Sequence, residues 1–562
     1  MTRLFNDPAA FTEDALDGFC ELHARSAARV DGGVVRAAPG PEGKVAVVVG
    51  GGSGHYPAFA GLVGPGFCDG AVVGNVFTSP SAQQAVEVAR AADLGGGVLF
   101  SFGNYAGDTM NFGIAQERLR AEGIDCRTVV VTDDIASAPP ERAEQRRGIA
   151  GDLVVFKVAA AAAEEGADLD EVERLARLAN ERTRTLGIAF AGCTLPGQDT
   201  PLFTVPDGKM GLGLGIHGEP GVSDVDLGSA EEVADVLVDG VLAEAPSQGG
   251  RVGAVLNGLG GTKYEELFVV WSRVARRLRE AGCEVVDPEV GELVTSLDMA
   301  GISLTLVWLD EDLERCWRAP ADAPAFRKGA PPAPGAEPAR QRRGTARRQR
   351  SWEATEESRA SAAVAVDVLD AVRRAIAAAE EELGRIDAVA ADGDHGRGMV
   401  RGTGAALEAA SAALAAGAGA GSVLAEAGDA WAAKAGGTSG VLWGTGLRAA
   451  GERLGDTAAP TPVSGAAAVE AFAEAIRRTG GAEVGDKTMV DALVPFTRAL
   501  TAGRRWPEAA AEARRAAEDT AALMPKRGRA RPLAERSAGT PDAGAVSFAL
   551  IVETIAAGLE EK

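Results

Sequence analysis

The chain has 562 residues, more than one hydrophobic core ordinarily holds, so two to four folding units are expected. Its 57 basic and 80 acidic residues leave a formal net charge of −23, which argues against nucleic acid and anionic membrane as partners and means that any phosphate chemistry here needs Mg2+ or local basic groups. The six cysteines (Cys20, Cys68, Cys126, Cys193, Cys283 and Cys316) form no CxxC pair and no apolar run approaches a membrane span, so the expectation is free thiols in a cytoplasmic protein with no membrane anchor.

Residues 1–317 alternate short β-rich runs with helical stretches and many glycines. KVAVVVGGG, GGVLFSFGN, CRTVVVTDD, RVGAVLNGLGG and GISLTLVWLDEDL each read as a buried strand running into Gly, Asn or Asp. That is the pattern of an α/β domain with ligand loops at the strand ends. The span suits two sub-domains, with a break expected near 194–206 (TLPGQDTPLFTVP). Residues 318–350, rich in Pro, Ala, Gly and Arg, read as a linker. From 351 to 562, alanine-rich amphipathic stretches recur, such as SRASAAVAVDVLDAVRRAIAAAEEEL and WPEAAAEARRAAEDTAALM, and this part reads as an all-α domain.

Three of the four histidines lie in glycine-rich segments: His55 in GGGSGHYPAFAG, His217 in GLGIHGEPG and His395 in DGDHGRGM. His23, in a helical stretch, reads as a surface or packing residue. Glycines let a backbone approach a ligand closely, and an imidazole moves protons near neutrality. The plainer reading of the first segment is a tight turn that happens to contain a histidine. In FGNYAGDTMNF, Asp108 follows a strand end and can serve as a base toward a substrate hydroxyl. His217, between glycines, can attack a reactive carbonyl. IDAVAADGDHGRG brings Asp387, Asp392 and Asp394 within eight residues, oxygen donors for one or two Mg2+ ions, although Asp-Gly is also ordinary turn chemistry. AGGTSGVLWGTG offers a small-residue loop whose backbone N–H groups and Thr438 and Ser439 hydroxyls can cradle phosphate, without the GxxxxGK[ST] of a P-loop. KRGRARPLAERSAGTPDAGA adds arginines that either grip phosphate or are merely solvated.

Together these segments resemble the dihydroxyacetone kinase family over nearly the whole chain: a DhaK-type substrate domain (1–317), a linker (318–350) and a DhaL-type ATP domain (351–562). GGGSGH, NYAGDTMNF, GIHGEPG and NGLGG stand in the first half, and DGDHGRGM, GGTSG, GDKTMVDAL and the ERSAG–PDAG loop in the second. The resemblance implies an ATP-dependent kinase that phosphorylates a terminal hydroxyl of a short ketose. His217 is then the residue that holds the ketone carbon as a hemiaminal, and His55 and Asp108 the acid/base pair. Gly52, Ser53, Gly54 and Gly103 contact the substrate, and Asp387, Asp392 and Asp394 hold two Mg2+ ions. His395, Gly396, Arg397, Gly398, Thr438, Ser439, Gly480, Met489, Arg529, Asp542, Ala543 and Gly544 contact ATP. The family also implies a barrel of antiparallel helices for the ATP domain, and a homodimer in which one subunit's ATP domain serves the other's substrate domain. Three positions depart from the family pattern: Tyr56 and Phe59 in GHYPAFAG replace an acid and a histidine, and Gly103 replaces a lysine. Loss of that lysine removes a charge and is expected to open space, which favours D- or L-erythrulose slightly over dihydroxyacetone. The alternatives are a phosphotransferase-system form, against which the fusion of the two domains argues, and an FAD-cyclising lyase.

Overall fold

The computed structural model describes residues 2–217, 219, 221–246, 249–329, 352–389, 393–435, 437–526 and 535–560. It divides into two compact units, Met1–Ala339 and Arg340–Lys562. Among the described residues, no helix is long and apolar enough to cross a membrane.

The first unit contains two six-stranded mixed sheets. In one, β1 (Ala27–Val30), β2 (Gly33–Arg36), β3 (Ala46–Ser53), β4 (Gly70–Val76), β5 (Val98–Gly103) and β6 (Cys126–Val131) lie in the order β1-β2-β4-β3-β5-β6. The four strands from β4 to β6 are parallel, and β2 and β1 add an antiparallel edge. In the other, β7 (Thr183–Ala191), β8 (Lys209–Leu212), β9 (Ser223–Asp226), β10 (Gly250–Gly258), β11 (Cys283–Gly291) and β12 (Ala300–Trp308) follow the order β11-β10-β12-β7-β8-β9, with β10 and β11 parallel and the other pairs antiparallel. The five runs read as strands are β3, β5, β6, β10 and β12.

After α1 (Phe11–Leu22), α2 (Ala82–Ala92) and α3 (Ala106–Ala121) cover one face of the first sheet, where Phe112 packs on Phe100 and Phe102. Helix α4 (Gly151–Glu164, GDLVVFKVAAAAAE) is buried from Gly151 to Ala163 and touches β3, β5 and β6 as well as β7. A helix apolar all round belongs inside, and this one is the spine between the sheets. Helix α5 (Leu169–Glu181) packs beside it, α6 (Ala230–Ala243) and α7 (Tyr264–Glu280) cover the second sheet, and α8 (Glu311–Arg318) returns to α4.

Two boundaries differ from the expectation. The chain leaves the first sheet through α4 and α5, so β7 is already an inner strand of the second sheet and residues 194–206 are a connection within it. The prolines and glycines there mark turns, which look alike inside and between sub-domains. Residues assigned to the start of the linker form a hairpin, β13 (Ala321–Ala323) and β14 (Phe326–Lys328), whose Ala321, Ala323 and Phe326 join the first unit's core.

The second unit is helical: α9 (Glu356–Ala378), α10 (Glu380–Asp387), α11 (His395–Ala415), α12 (Ala420–Ala435), α13 (Gly437–Leu454), α14 (Pro462–Gly480), α15 (Met489–Thr501), α16 (Trp506–Asp519) and α17 (Ala543–Glu560). Neighbours in contact run α9-α11-α12-α13-α14-α15-α17 and back to α9, with α16 against α15 and α17. Helices α12 and α13 meet on glycines spaced seven apart. A Cβ on Gly428 would stand 2.7 Å from the Gly444 carbonyl oxygen, and one on Gly421 would stand 2.5 Å from that of Gly451. Near this seam the Trp431 and Trp443 rings stack at 4.8 Å and 8°.

Candidate functional site

Parallel strands β3 and β5 end at the same edge of the first sheet, where α/β proteins collect ligand loops. The glycines after β3 serve the protein's own packing. A Cβ at Gly51 would stand 2.7 Å from the Phe59 ring, at Gly52 2.6 Å from the Thr78 amide, and at Gly54 (φ +99°) 2.8 Å from the Phe77 ring. The Ser53 hydroxyl is 2.8 Å from that of Thr12.

His55 is 2% exposed and held on three sides. Its Nδ1 donates to the Thr295 carbonyl (2.7 Å), whose amide donates back to the His55 carbonyl (3.1 Å). The Phe77 ring stacks on its imidazole at 5.0 Å. Its Nε2 lies 2.9 Å from Nε2 of His217, in the loop between β8 and β9. His217 is gripped in turn by Glu219, which accepts from its Nδ1 (2.9 Å) and its backbone N–H (3.0 Å). Burial alone would raise the Glu219 carboxyl, but His217's hydrogen bonds and charge outweigh it and hold it down to about 2. Behind Glu219, Arg147 bonds Asp134 (2.9 Å) and the Gly213 carbonyl (3.1 Å), fixing the base of the same loop.

These contacts fix the number of ring protons. A carbonyl and a carboxylate only accept, so each Nδ1 carries hydrogen, and an Nε2–Nε2 contact needs one hydrogen between the rings. The pair therefore holds three protons, one more than two neutral imidazoles, with Glu219 as counter-ion. Burial, and after it the neighbouring His217, pushes the His55 imidazole down to about 3.

Asp108 stands in the first turn of α3, 8% exposed, with Oδ1 unpartnered. Burial raises its carboxyl to about 6, against the opposing pull of the Ser79 hydroxyl and His217. Gly103 does not open the expected space. A Cβ there would stand 3.0 Å from the Gly148 carbonyl oxygen and 3.2 Å from the Tyr105 ring. The sequence reading missed Glu219, Tyr105, Phe77 and Thr295. Of these, Glu219 had a signal, an acid two residues after a glycine-flanked histidine.

In the helical unit the starts of α11, α15 and α17 lie together, with the Thr488 hydroxyl accepting from the Val490 amide and the Asp542 carboxylate from the Ala545 amide. His395 Nε2 lies 2.9 Å from the Ser547 hydroxyl on α17, and burial lowers its pKa. A Cβ on Gly544 would stand 3.4 Å from that of Met489, one on Gly480 3.2 Å from Leu442 on α13, and one on Gly398 3.8 Å from the Ala435 carbonyl oxygen at the end of α12. Gly396 backs onto the Glu380 carbonyl, and Arg397 is exposed. Thr438 and Ser439, read as a loop, form the first turn of α13. Buried Lys487 (φ +60°) donates to the Ser537 carbonyl (2.7 Å), which ties the start of α15 to the segment before Asp542. Asp392 and Arg529 lie outside the described residues.

A divalent cation suits this end. Asp387 Oδ2 is buried with no partner. Desolvation, with Asp491 and Asp387 nearby, pushes the Asp542 carboxyl up to about 7, against its bond from the Ala545 amide and the charge of Lys487. A cation would relieve both strains. Among the described residues no group of three metal-ligating side chains is assembled.

A buried histidine pair at the strand ends of an α/β unit, in one chain with a helical unit whose helix starts gather at one end, fits a phosphoryl-transfer enzyme of two fused units. Residues 17–325 match the Dak1 domain and residues 389–557 the DAK2 domain. The chain is 60% identical to the D-erythrulose kinase of Mycolicibacterium smegmatis, over 99% of this chain and 98% of that one. It is 55% identical to the L-erythrulose kinase of Pectobacterium atrosepticum, over 100% and 97%. Its structure is similar to that of the dihydroxyacetone kinase from C. freundii in complex with AMP-PNP and Mg2+, with a TM-score of 0.60, 30% identity and coverage of 100% and 99%. The chain belongs to the dihydroxyacetone kinase family, and it is a kinase with both domains in one polypeptide.

Proposed function

We propose that this kinase transfers phosphate from ATP to a terminal hydroxyl of a short ketose held on His217 as a hemiaminal, and that the ketose is an erythrulose. The observation that carries the reading is the 2.9 Å contact between the two Nε2 atoms, with Glu219 behind His217. The proton between the rings passes to His55, which leaves a lone pair on His217 Nε2 to attack the carbonyl carbon. His55 Nε2 then gives the proton to the carbonyl oxygen. The product is a hydroxyl on carbon and an N-substituted imidazolium beside Glu219, so charge and protons balance. Asp108, ionised above about pH 6, takes the proton of the attacking hydroxyl. Asp387, Asp392 and Asp394 are the residues proposed to hold Mg2+, which when bound neutralises charge on the nucleotide phosphates. The first turns of α11, α13, α15 and α17 supply backbone donors to those phosphates.

The test follows ADP release with Mg·ATP and D-erythrulose, L-erythrulose or dihydroxyacetone, with His217→Ala as control. Turnover of an erythrulose that His217→Ala loses supports the reading. No ketose reacting above the His217→Ala background overturns it.

A further inference from the structure

Three buried oxygens near His217 have no hydrogen-bond partner: Asp108 Oδ1, Tyr105 Oη and Asp152 Oδ1. Buried polar atoms are almost always paired, so each calls for a ligand group. The hydroxyl that attacks phosphate accounts for Asp108. Nothing in that chemistry uses Tyr105 or Asp152.

Asp152 lies in the first turn of α4 and is 3% exposed. A Cβ on Gly148 would stand 3.0 Å from its Oδ1 and 2.4 Å from the Gly103 Cα. A Cβ on Gly103 would stand 3.2 Å from the Tyr105 ring, which meets the His217 imidazole edge-on at 4.9 Å. Two facing glycines thus lie between the Asp152 carboxyl and the Tyr105 ring, which in turn meets His217. Burial first, then the carboxylates of Asp133 and Asp108, raises Asp152 well above the usual range. Burial, with Glu219 next, raises Tyr105 likewise. The Tyr105 phenol is neutral and burial disfavours the charged form of Asp152, so each suits a hydroxyl as hydrogen-bond partner. With acidic groups around them they suit a neutral hydroxyl and repel an anion.

The hydroxyls of the candidate ketoses decide between them. Dihydroxyacetone has two, and a four-carbon 2-ketose has three; in both, His55 takes the carbonyl oxygen. Three unpartnered oxygens match the second and leave one orphaned with the first. Resting on the kinase reading above, we propose that Asp152 and Tyr105 bind the hydroxyls of the ketose remote from the phosphorylated end, and so select a four-carbon ketose over dihydroxyacetone. A site built to bond a hydroxyl discriminates strongly against the analogue that lacks it.

The experiment compares kcat/KM for the better erythrulose enantiomer with that for dihydroxyacetone in the full-length wild type, Tyr105→Phe and Asp152→Ala. Tyr105→Phe removes one oxygen and keeps the ring against His217, so it decides the matter if Asp152→Ala does not fold. The expected result is a wild type that prefers erythrulose and a preference ratio that falls by about tenfold or more in each folded variant, through the erythrulose KM. A ratio unchanged in the folded variants, or a wild type that prefers dihydroxyacetone, overturns this proposal and leaves the kinase reading intact. A wild type that phosphorylates no ketose overturns the kinase reading itself.

Discussion

Asp108 sets the pH dependence of the proposed transfer. Its carboxyl is raised to about 6 by burial, and a base works only when ionised. From about pH 5 to 6, kcat/KM is expected to rise about fivefold, and to level off near pH 7. A flat profile there, measured with Mg·ATP saturating, removes Asp108 from the role of base. Asp108→Asn is expected to cost about 10²–10⁴ in kcat above about pH 7, and less at lower pH, where the wild-type base is itself protonated. This residue and both histidines were legible in the sequence, because a titratable side chain among glycines at a strand end is unusual enough to stand out. Glu219, Tyr105 and Asp152 were not. Their significance lies in what they face: a histidine two residues back, or no hydrogen-bond partner at all. The first relation leaves a faint trace in spacing and the second leaves none. The glycines have a further use that the sequence does not reveal, since Gly51, Gly52 and Gly54 make room for Phe59, Phe77 and Thr78.

The same ambiguity recurs among the elements. AGGTSGVLWGTG reads as a loop because glycine is the residue of loops, yet it runs through α13, whose Gly444 lies on the seam with α12. Glycine between two helices lets their backbones approach, and no single sequence distinguishes that use from a turn. The seam makes a prediction. Gly428→Val puts a branched side chain where a Cβ already stands 2.7 Å from the Gly444 carbonyl oxygen. It is expected to destabilise the helical unit by ~1–3 kcal/mol, through overpacking and strain. Differential scanning calorimetry of the full chain should show the helical unit's transition moving down. A melt unchanged from wild type means the two helices can part at little cost. The long alanine-rich helices α9, α14, α16 and α17 were readable because an amphipathic repeat over three or more turns outweighs local noise. The short strands β1, β2, β8 and β9 were not, since four residues carry too little pattern.

Across the whole molecule, the proposed reaction assigns carbonyl capture to the first unit and the phosphate chemistry to the second. Ketose binding should therefore survive EDTA and the omission of ATP, while turnover is lost. Calorimetric titration of the EDTA-treated protein with the preferred ketose measures this directly, and loss of binding under those conditions would contradict it. The His55–His217 pair adds a consequence for the solvent. In the proposed capture, the proton that the carbonyl oxygen needs comes from between the two rings, beside Glu219. Capture thus draws no proton from the medium and releases none. The heat of binding should be the same in phosphate, whose ionisation enthalpy is small, as in Tris, whose ionisation enthalpy is large.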